Sequence, residues 1–403
     1  MDIKRLDQIM DEYGVDVMLV IGSTKFSSLY YLTRGAKLGY AIFIKKHREK
    51  PILVHLDMER DNVAHLTDFE TIPYSEMGLR ELAKIKDPVE SGIKFYSAFF
   101  DRFDLKGNIY MLMDHFDNNM VLTMDELRKK YPGLNFIKTQ KNLVTELRRH
   151  KTKEEIERIK KVAKKTQEAL TELLEYMKTL KRNNGILERK DGSPFTIGMA
   201  KSFLRMELIK RNLLDAAGMI IAQGRDAGVP HNSGNDNEPV KTNTTIVFDI
   251  FPQEYGGGYF FDMTRTYSFG DPGKEVIQYY EDLREIQEMA LNAAKVGTEA
   301  KKIEEMVVDY FESKGYTTLR KDQKAQEGYI HSLGHGVGIA VHEAPRLSLY
   351  SDDVLEKGDV FTIEPGLYYP SKGFGMRIED TVYIDEKGET HNLTHLSKEL
   401  IIE

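Results

Sequence analysis

The sequence predicts an α+β protein in two parts: a smaller α/β module over residues 1–146 and a larger domain over residues 147–403. Three observations carry this. A chain of 403 residues exceeds one ordinary domain and suits two of unequal size. The first part mixes short apolar runs with helical segments. From Gly218 onward, strand-like runs gather in hairpins and are split by a long helical block, so strands and helices fall in separate groups.

In the first part, Val15 to Ile21 is an apolar run that reads as a buried strand. Tyr40 to Lys45 and Pro51 to Leu56 are two more, joined by the charged stretch Lys45 to Lys50. Ile109 to Met113 and Asn135 to Lys138 read as short strands, with a helical segment near Met124 to Lys130. No catalytic constellation lies here, so a scaffold, gating or oligomerisation role is expected.

The texture changes at Leu147 to Lys178. Ile156, Ile159, Ala163, Leu170, Leu173, Leu174 and Met177 recur at helical steps and form one apolar stripe on a long helix. Thr152 with Glu155 has the spacing of a capping box. Asn183 to Pro194 is polar and reads as a surface insertion. A second helix is expected over Ile197 to Arg211. Strands are expected at Gly218 to Ala222, Thr244 to Phe251, Tyr259 to Phe269, Asp359 to Ile363 and Met376 to Ile384, and the helical block at Lys274 to Lys314.

Composition removes several function classes. The net charge is −7 with 30% charged residues, against the basic surplus of a general nucleic-acid binder. With no cysteine, disulfides, cysteine zinc sites and thiol catalysis are excluded, so any metal must sit on carboxylates and imidazoles. No stretch approaches the ~20 apolar residues of a membrane span. Met1-Asp2-Ile3-Lys4-Arg5-Leu6 reads as a charged helix start rather than a signal peptide, and a cytoplasmic protein is expected.

Two hairpins carry unusual acids. Thr245-Ile246-Val247-Phe248-Asp249-Ile250-Phe251 is an apolar strand with one carboxylate inside it. Gly256-Gly257-Gly258 allows a reversal, and Tyr259 to Thr266 returns with Asp262. About a turn centred on Tyr255 and Gly256, Asp249 and Asp262 would face each other. Facing like charges destabilise a sheet, and more so when buried; a shared cation removes the problem. The device returns where Val360 to Glu364 runs out and Arg377-Ile378-Glu379 comes back. The plain alternative is a set of strand carboxylates paired with Arg265 and Arg377. Two facing pairs in one domain weigh against it.

Three histidines lie near glycine or proline loops: His231 after Pro230, His335 in Gly334-His335-Gly336-Val337-Gly338, and His342 in His342-Glu343. The glycine run matches neither a dinucleotide fingerprint nor a P-loop. Position 346 is arginine, so the two-histidine helix of zinc proteases is absent too. His47, His55, His65, His115, His150, His391 and His395 receive no role. A set of four carboxylates and one imidazole suits harder divalent ions, and its charge balances two of them.

At these residues the sequence resembles the pita-bread metallopeptidase family, which holds methionine aminopeptidase, aminopeptidase P and prolidase. The resemblance runs from about Leu147 to the C-terminus. It rests on Phe248-Asp249, Asp262-Met263-Thr264-Arg265-Thr266, Gly334 to Gly338, His342-Glu343-Ala344-Pro345, Glu364-Pro365-Gly366 and Arg377-Ile378-Glu379-Asp380. The first part resembles the creatinase/prolidase N-terminal domain, most clearly at Tyr31-Leu32-Thr33.

The resemblance implies two divalent metal ions, Mn²⁺ or Co²⁺ in preference to Zn²⁺ or Fe²⁺. By it, Asp262 and Glu379 bridge them, Asp249 chelates one, and His335 and Glu364 hold the other. Glu364 also shuttles a proton, His231 and His342 contact substrate or stabilise the tetrahedral intermediate, and Arg346 matches a prolidase arginine for the substrate carboxylate. The implied activity is hydrolysis of Xaa-Pro dipeptides by a homodimer. Aminopeptidase P, acting on longer Xaa-Pro-Yaa peptides, is the nearest alternative. A catalytically inactive binding module is the alternative of another class. Methionine aminopeptidases usually lack such an N-terminal domain, and creatinase-type relatives lack the full ligand set. The step from Asp249 to Asp262 is two residues longer than the family's usual spacing, which marks Phe251 to Glu254 as an extended turn beside the site.

Overall fold

A buried strand, Val17–Gly22, runs through the middle of the first unit. The computed structural model describes residues 2–403, and the chain divides after Arg148 into two units. In the first, six strands form one mixed sheet in the order Glu70–Pro73, Ile52–His55, Ala41–Lys46, Val17–Gly22, Gly107–Met113, Leu134–Phe136. Helix Pro88–Arg102 starts where the Asp87 carboxylate accepts the Val89 and Glu90 amides. It buries Tyr96, Phe99 and Phe100 in the same cluster as Met124 and Leu127 of helix Asn118–Lys130. Neither the Glu70–Pro73 strand nor the Pro88–Arg102 helix was expected from the sequence, although Tyr96, Phe99, Phe100 and Phe103 recur at helical steps.

The second unit, Arg149–Glu403, begins with helix Lys153–Lys178. Its capping box is formed: the Glu155 amide donates to Thr152 Oγ1, and the Thr152 amide donates to the Glu155 carboxylate. The apolar stripe from Ile156 to Met177 is buried. Asn183 to Pro194 lies at the surface as expected, and it is ordered as a hairpin. Lys181–Asn183 pairs with Ile186–Glu188, Leu187 is fully buried, and Glu188 bridges to Pro194. A single apolar residue, here Leu187, is enough to fasten a polar stretch to the core. The helical block is two helices, Lys274–Ala293 and Ala300–Ser313. Gly297 sits between them at φ 83°, where a helix cannot continue.

Two sheets carry the acidic hairpins. One runs Ile220–Gln223, Ile246–Ile250, Met263–Phe269, Ile401–Ile402. The other runs Glu343–Leu347, Gly334–Gly336, Val360–Ile363, Asp380–Ile384, Thr390–Asn392. Leu283, Ile286, Ile303, Val307 and Phe311 of the helix pair share a core cluster with Phe361, Ile363, Met376 and Val382. Truncating a buried aromatic such as Phe361 to alanine costs about 3–5 kcal/mol, so this layer fixes the strands below it. Among the described residues, no helix is long and apolar enough to cross a membrane.

Candidate metal centre

The first hairpin is built one residue off the expected turn. Asp249 lies opposite Thr264, and Gln253 bridges Phe260, so the reversal is centred between Gly256 and Gly257. Both glycines have positive φ, 84° and 98°, which places the tightest part of the turn there. Asp262 is therefore diagonal to Asp249 and not directly opposite it. A two-residue shift keeps both on one face, because side chains alternate with period two. The extended turn is knitted into the unit: Gln253–Glu254 pairs with Leu213–Leu214, and Arg158 Nε donates to Glu254 at 3.1 Å.

The second hairpin is interrupted where its acids sit. Val360–Ile363 pairs with Asp380–Ile384 as far as Ile363 opposite Asp380. Pairing resumes at Gly366 opposite Arg377. Glu364 and Glu379 occupy the gap, in continuous register, and face each other there. The Glu379 amide donates to the Thr264 carbonyl at 3.0 Å. This single bridge joins the two hairpins. Threonine hydroxyls zip it closed, with Thr381 Oγ1 donating to the Asp262 carbonyl at 2.6 Å and Thr266 Oγ1 to the Arg377 carbonyl at 2.9 Å.

Asp262, His335 and Glu379 each present a donor atom within 4.8 Å of the others'. His335 Nε2 is 3.2 Å from Glu364 and 3.8 Å from Asp262. Its Nδ1 lies 3.1 Å from the Gly336 carbonyl, a contact that leaves Nε2 for the cluster. Asp249 joins through Thr264, whose hydroxyl reaches Asp249 at 3.1 Å and Glu379 at 2.7 Å. The five sequence-predicted residues are thus brought together. The flanking glycines make room for neighbouring backbone. A Cβ at Gly334 would meet the Thr362 carbonyl at 2.1 Å, and one at Gly336 the Ala344 carbonyl at 2.1 Å. They let neighbouring strands close on the histidine's strand.

Arg377 is the partner of Asp249, and its Nε donates to Thr264 Oγ1 at 3.0 Å. Arg265 turns the other way, onto Asp380 at 2.8 Å and the Glu379 carbonyl at 2.8 Å. One cation therefore answers part of the charge that the hairpins bury, and the arginine reading holds to that extent. It leaves Asp262 Oδ1 and Glu379 Oε1 buried with no hydrogen-bond partner among the described residues. Burial, reinforced by the Asp249 charge, pushes Asp262 well above the usual carboxylate range. Burial and Asp262 do the same to Glu379. Burial would also raise Glu364, but the His335 imidazole holds it down to about 2. Burial would lower His335, but Glu364 lifts it to about 9. Four carboxylates face two cations, Arg377 and the lifted His335, so the other two acids balance only by holding protons; a divalent cation fits this donor set and would displace them. Asp385, Glu389 and His391 form another trio, but it is more exposed, and His391 Nε2 already bonds Asp385 at 2.9 Å.

The substrate-side residues divide. The His342 ring stands edge-on to His335 with centroids 4.2 Å apart. Burial, then the His335 charge, lowers its pKa. Arg346 lies opposite His335 across the strand pair and is exposed. His231 is exposed too, and its charge is felt at both His331 and His342. Sequence reasoning missed His331, Tyr368 and Thr264. His331 Nε2 bonds the Tyr368 hydroxyl at 2.9 Å, which also takes Arg377 Nη1 at 2.8 Å. Two of them had a signal in position: His331 precedes His335 by four residues, an even step that keeps to one face of an extended chain, and Thr264 shares a strand face with Asp262.

Glu304 was also missed. It is 3% exposed and accepts the Leu333 amide at 2.7 Å and the Tyr329 hydroxyl at 3.0 Å, bracing the segment that leads into His335. Burial pushes its pKa up to about 8. Below about pH 4 the folded and unfolded states both hold its proton. From there to about pH 8 only the folded state does, so stability falls as pH rises, by about 1.4 kcal/mol per unit. Glu304→Gln should remove that slope. Urea unfolding from pH 5 to 8 checks it, and an unchanged slope contradicts it.

The comparisons with known proteins bear on the same residues. The sequence pattern of Metallopeptidase family M24 matches residues 157–386, more than half of the chain. The chain belongs to metallopeptidase family M24. Its M24 relatives include an Xaa-Pro dipeptidase of Pyrococcus furiosus, 32% identical over 285 residues, which are 71% of this chain and 74% of that one. A prolidase structure from Pyrococcus horikoshii OT3 superposes with a TM-score of 0.75 at 25% identity, covering 99% of both chains. An X-Pro aminopeptidase structure from Thermotoga maritima MSB8 shares the M24 fold, with a TM-score of 0.72 at 24% identity over 99% of both chains. The pita-bread fold and the metallopeptidase class expected from the motifs are therefore those of the chain.

Proposed function

We propose that this protein hydrolyses Xaa-Pro dipeptides at a centre of two divalent ions held by Asp249, Asp262, His335, Glu364 and Glu379. One observation carries the reading: Asp262, His335 and Glu379 converge, with Glu364 against His335 and Asp249 across the Thr264 hydroxyl, where two buried carboxylate oxygens lack partners among the described residues. Its relatives named Xaa-Pro dipeptidase support the substrate class. By the family resemblance, Asp262 and Glu379 would be shared between the ions, Asp249 would hold one, and His335 with Glu364 would hold the other. Ions held there supply a water made acidic near neutral pH and polarise the scissile carbonyl.

The side chains do the rest. Glu364, held ionised, takes a proton and passes it to the departing prolyl nitrogen. His342, neutral, keeps one ring N–H to donate to the oxygen that gains charge. His231 contacts the substrate in this reading, the role the family resemblance implies. Arg346 offers a guanidinium for the dipeptide's carboxylate. The same reading takes Mn²⁺ or Co²⁺ as the ions and a cytoplasmic homodimer as the working form.

Hydrolysis of a small panel with Mn²⁺, Co²⁺ and Zn²⁺ tests the proposal. Xaa-Pro should be turned over faster than Xaa-Pro-Yaa, since only the dipeptide brings its carboxylate within reach of Arg346. Equal or faster cleavage of the tripeptide makes the enzyme an aminopeptidase, and no cleavage of either makes the domain a binding module.

A further inference from the structure

The segment entering the second unit is fastened with unusual firmness. Arg149 grips Asp359 through two bonds of 2.9 Å, and the Lys151 amide donates to the Gly358 carbonyl at 2.9 Å. Thr152, the next residue, caps the 26-residue helix Lys153–Lys178. Between these anchors the Lys151 side chain turns inward. Its Nζ lies 3.1 Å from Glu343 Oε2, and both side chains are 1% exposed.

A buried ion pair costs desolvation that its attraction barely repays, so stability alone is a weak reason for one. Its position suggests another reason. Glu343 follows His342 in the chain. Its second oxygen accepts the Ala340 amide at 2.8 Å, closing the turn that carries His342. Room for the carboxylate exists because position 338 is glycine: a Cβ there would lie 2.4 Å from Glu343 Oε2. The Phe260 amide holds that glycine's carbonyl at 2.7 Å. The ladder also slips here, with His335 opposite Arg346 but Gly336 opposite Glu343, which re-aims the side chains between. His342 is thus held on one side by the His335 ring and on the other by a turn whose fixed point is Lys151.

We propose that Lys151 and Glu343 are positioning residues that set the His342 ring for the reaction, coupling it to the capped start of the long helix. The inference rests on the role given to His342 under the proposed function. Neither residue touches substrate; both act through the turn.

A double-mutant cycle tests this in the metal-loaded full chain. The pair is neutralised together as Lys151→Met with Glu343→Gln, which strands no charge. The expected result is a fall in kcat/KM on an Xaa-Pro dipeptide of about 10- to 100-fold, carried by kcat, with metal content unchanged. In a His342→Ala background the same two changes should cost less than about 2-fold more. Should the paired variant not fold, Gly338→Ala displaces the carboxylate without removing a charge, and the same cycle is run with it. Wild-type kcat/KM in the pair variant, or an equal further loss in the His342→Ala background, overturns the positioning claim. Wild-type kcat/KM in His342→Ala alone overturns the reading of His342 itself.

Discussion

Glu379→Gln should leave a folded protein with peptidase activity reduced by at least about 10³-fold. Glu379 is 1% exposed, and one of its oxygens is already occupied by the Thr264 hydroxyl. Glutamine has the same shape and can still accept that bond. It cannot provide the second anionic oxygen that a bridging ligand needs. In the metal-free protein Glu379 is held in its neutral form by burial and by Asp262, so an uncharged isostere disturbs little there. The melting temperature of the metal-free variant should therefore match that of metal-free wild type, while kcat/KM with metal collapses. Circular dichroism melts and dipeptide kinetics check both halves. More than a tenth of the activity surviving would remove Glu379 from the centre.

Chelation should lower thermal stability, and the effect should grow with pH. Asp262 is raised by burial and by the Asp249 charge, and Glu379 by burial and by Asp262. Above the ordinary carboxylate range, folded metal-free protein holds protons that the unfolded chain has lost, so its stability declines as pH rises. A metal ion displaces those protons, and its binding strengthens in the same direction. At 100 times its dissociation constant an ion adds about 2.7 kcal/mol. The gap in melting temperature between loaded and chelated protein should widen from pH 5 to pH 8. Equal melting temperatures at pH 8 would contradict a metal site here.

The acids of the centre were legible because a carboxylate inside an apolar strand is costly, and two hairpins repeated the anomaly. Glu364 and Glu379 face each other as their spacing implied. Asp249 and Asp262 do not, because counting from a turn cannot tell which glycine pair makes the reversal; the error shifted the register by two and spared the face. What joins the hairpins was only partly legible. Arg377 was foreseen as a partner for a strand carboxylate, but the Thr264–Glu379 bridge and the His331–Tyr368 bond link residues far apart in sequence, and no local period encodes them. Glu304 left a fainter trace, an acid beside Ile303 on the buried side of an amphipathic helix. In the first unit, strong apolar runs gave the inner strands, whereas Glu70–Pro73 is half polar and exposed, and only pairing with Ile52–His55 makes it a strand.

The centre itself can be tested by counting. Protein purified without chelator, dialysed against Mn²⁺ or Co²⁺ and analysed by mass spectrometry of the metal, should hold about two ions per chain. The Asp262→Asn/Glu379→Gln variant, prepared in the same way, should hold fewer than about half an ion. Wild-type protein with no bound ion, or a variant that retains the full complement, would show that these five residues do not form a metal centre.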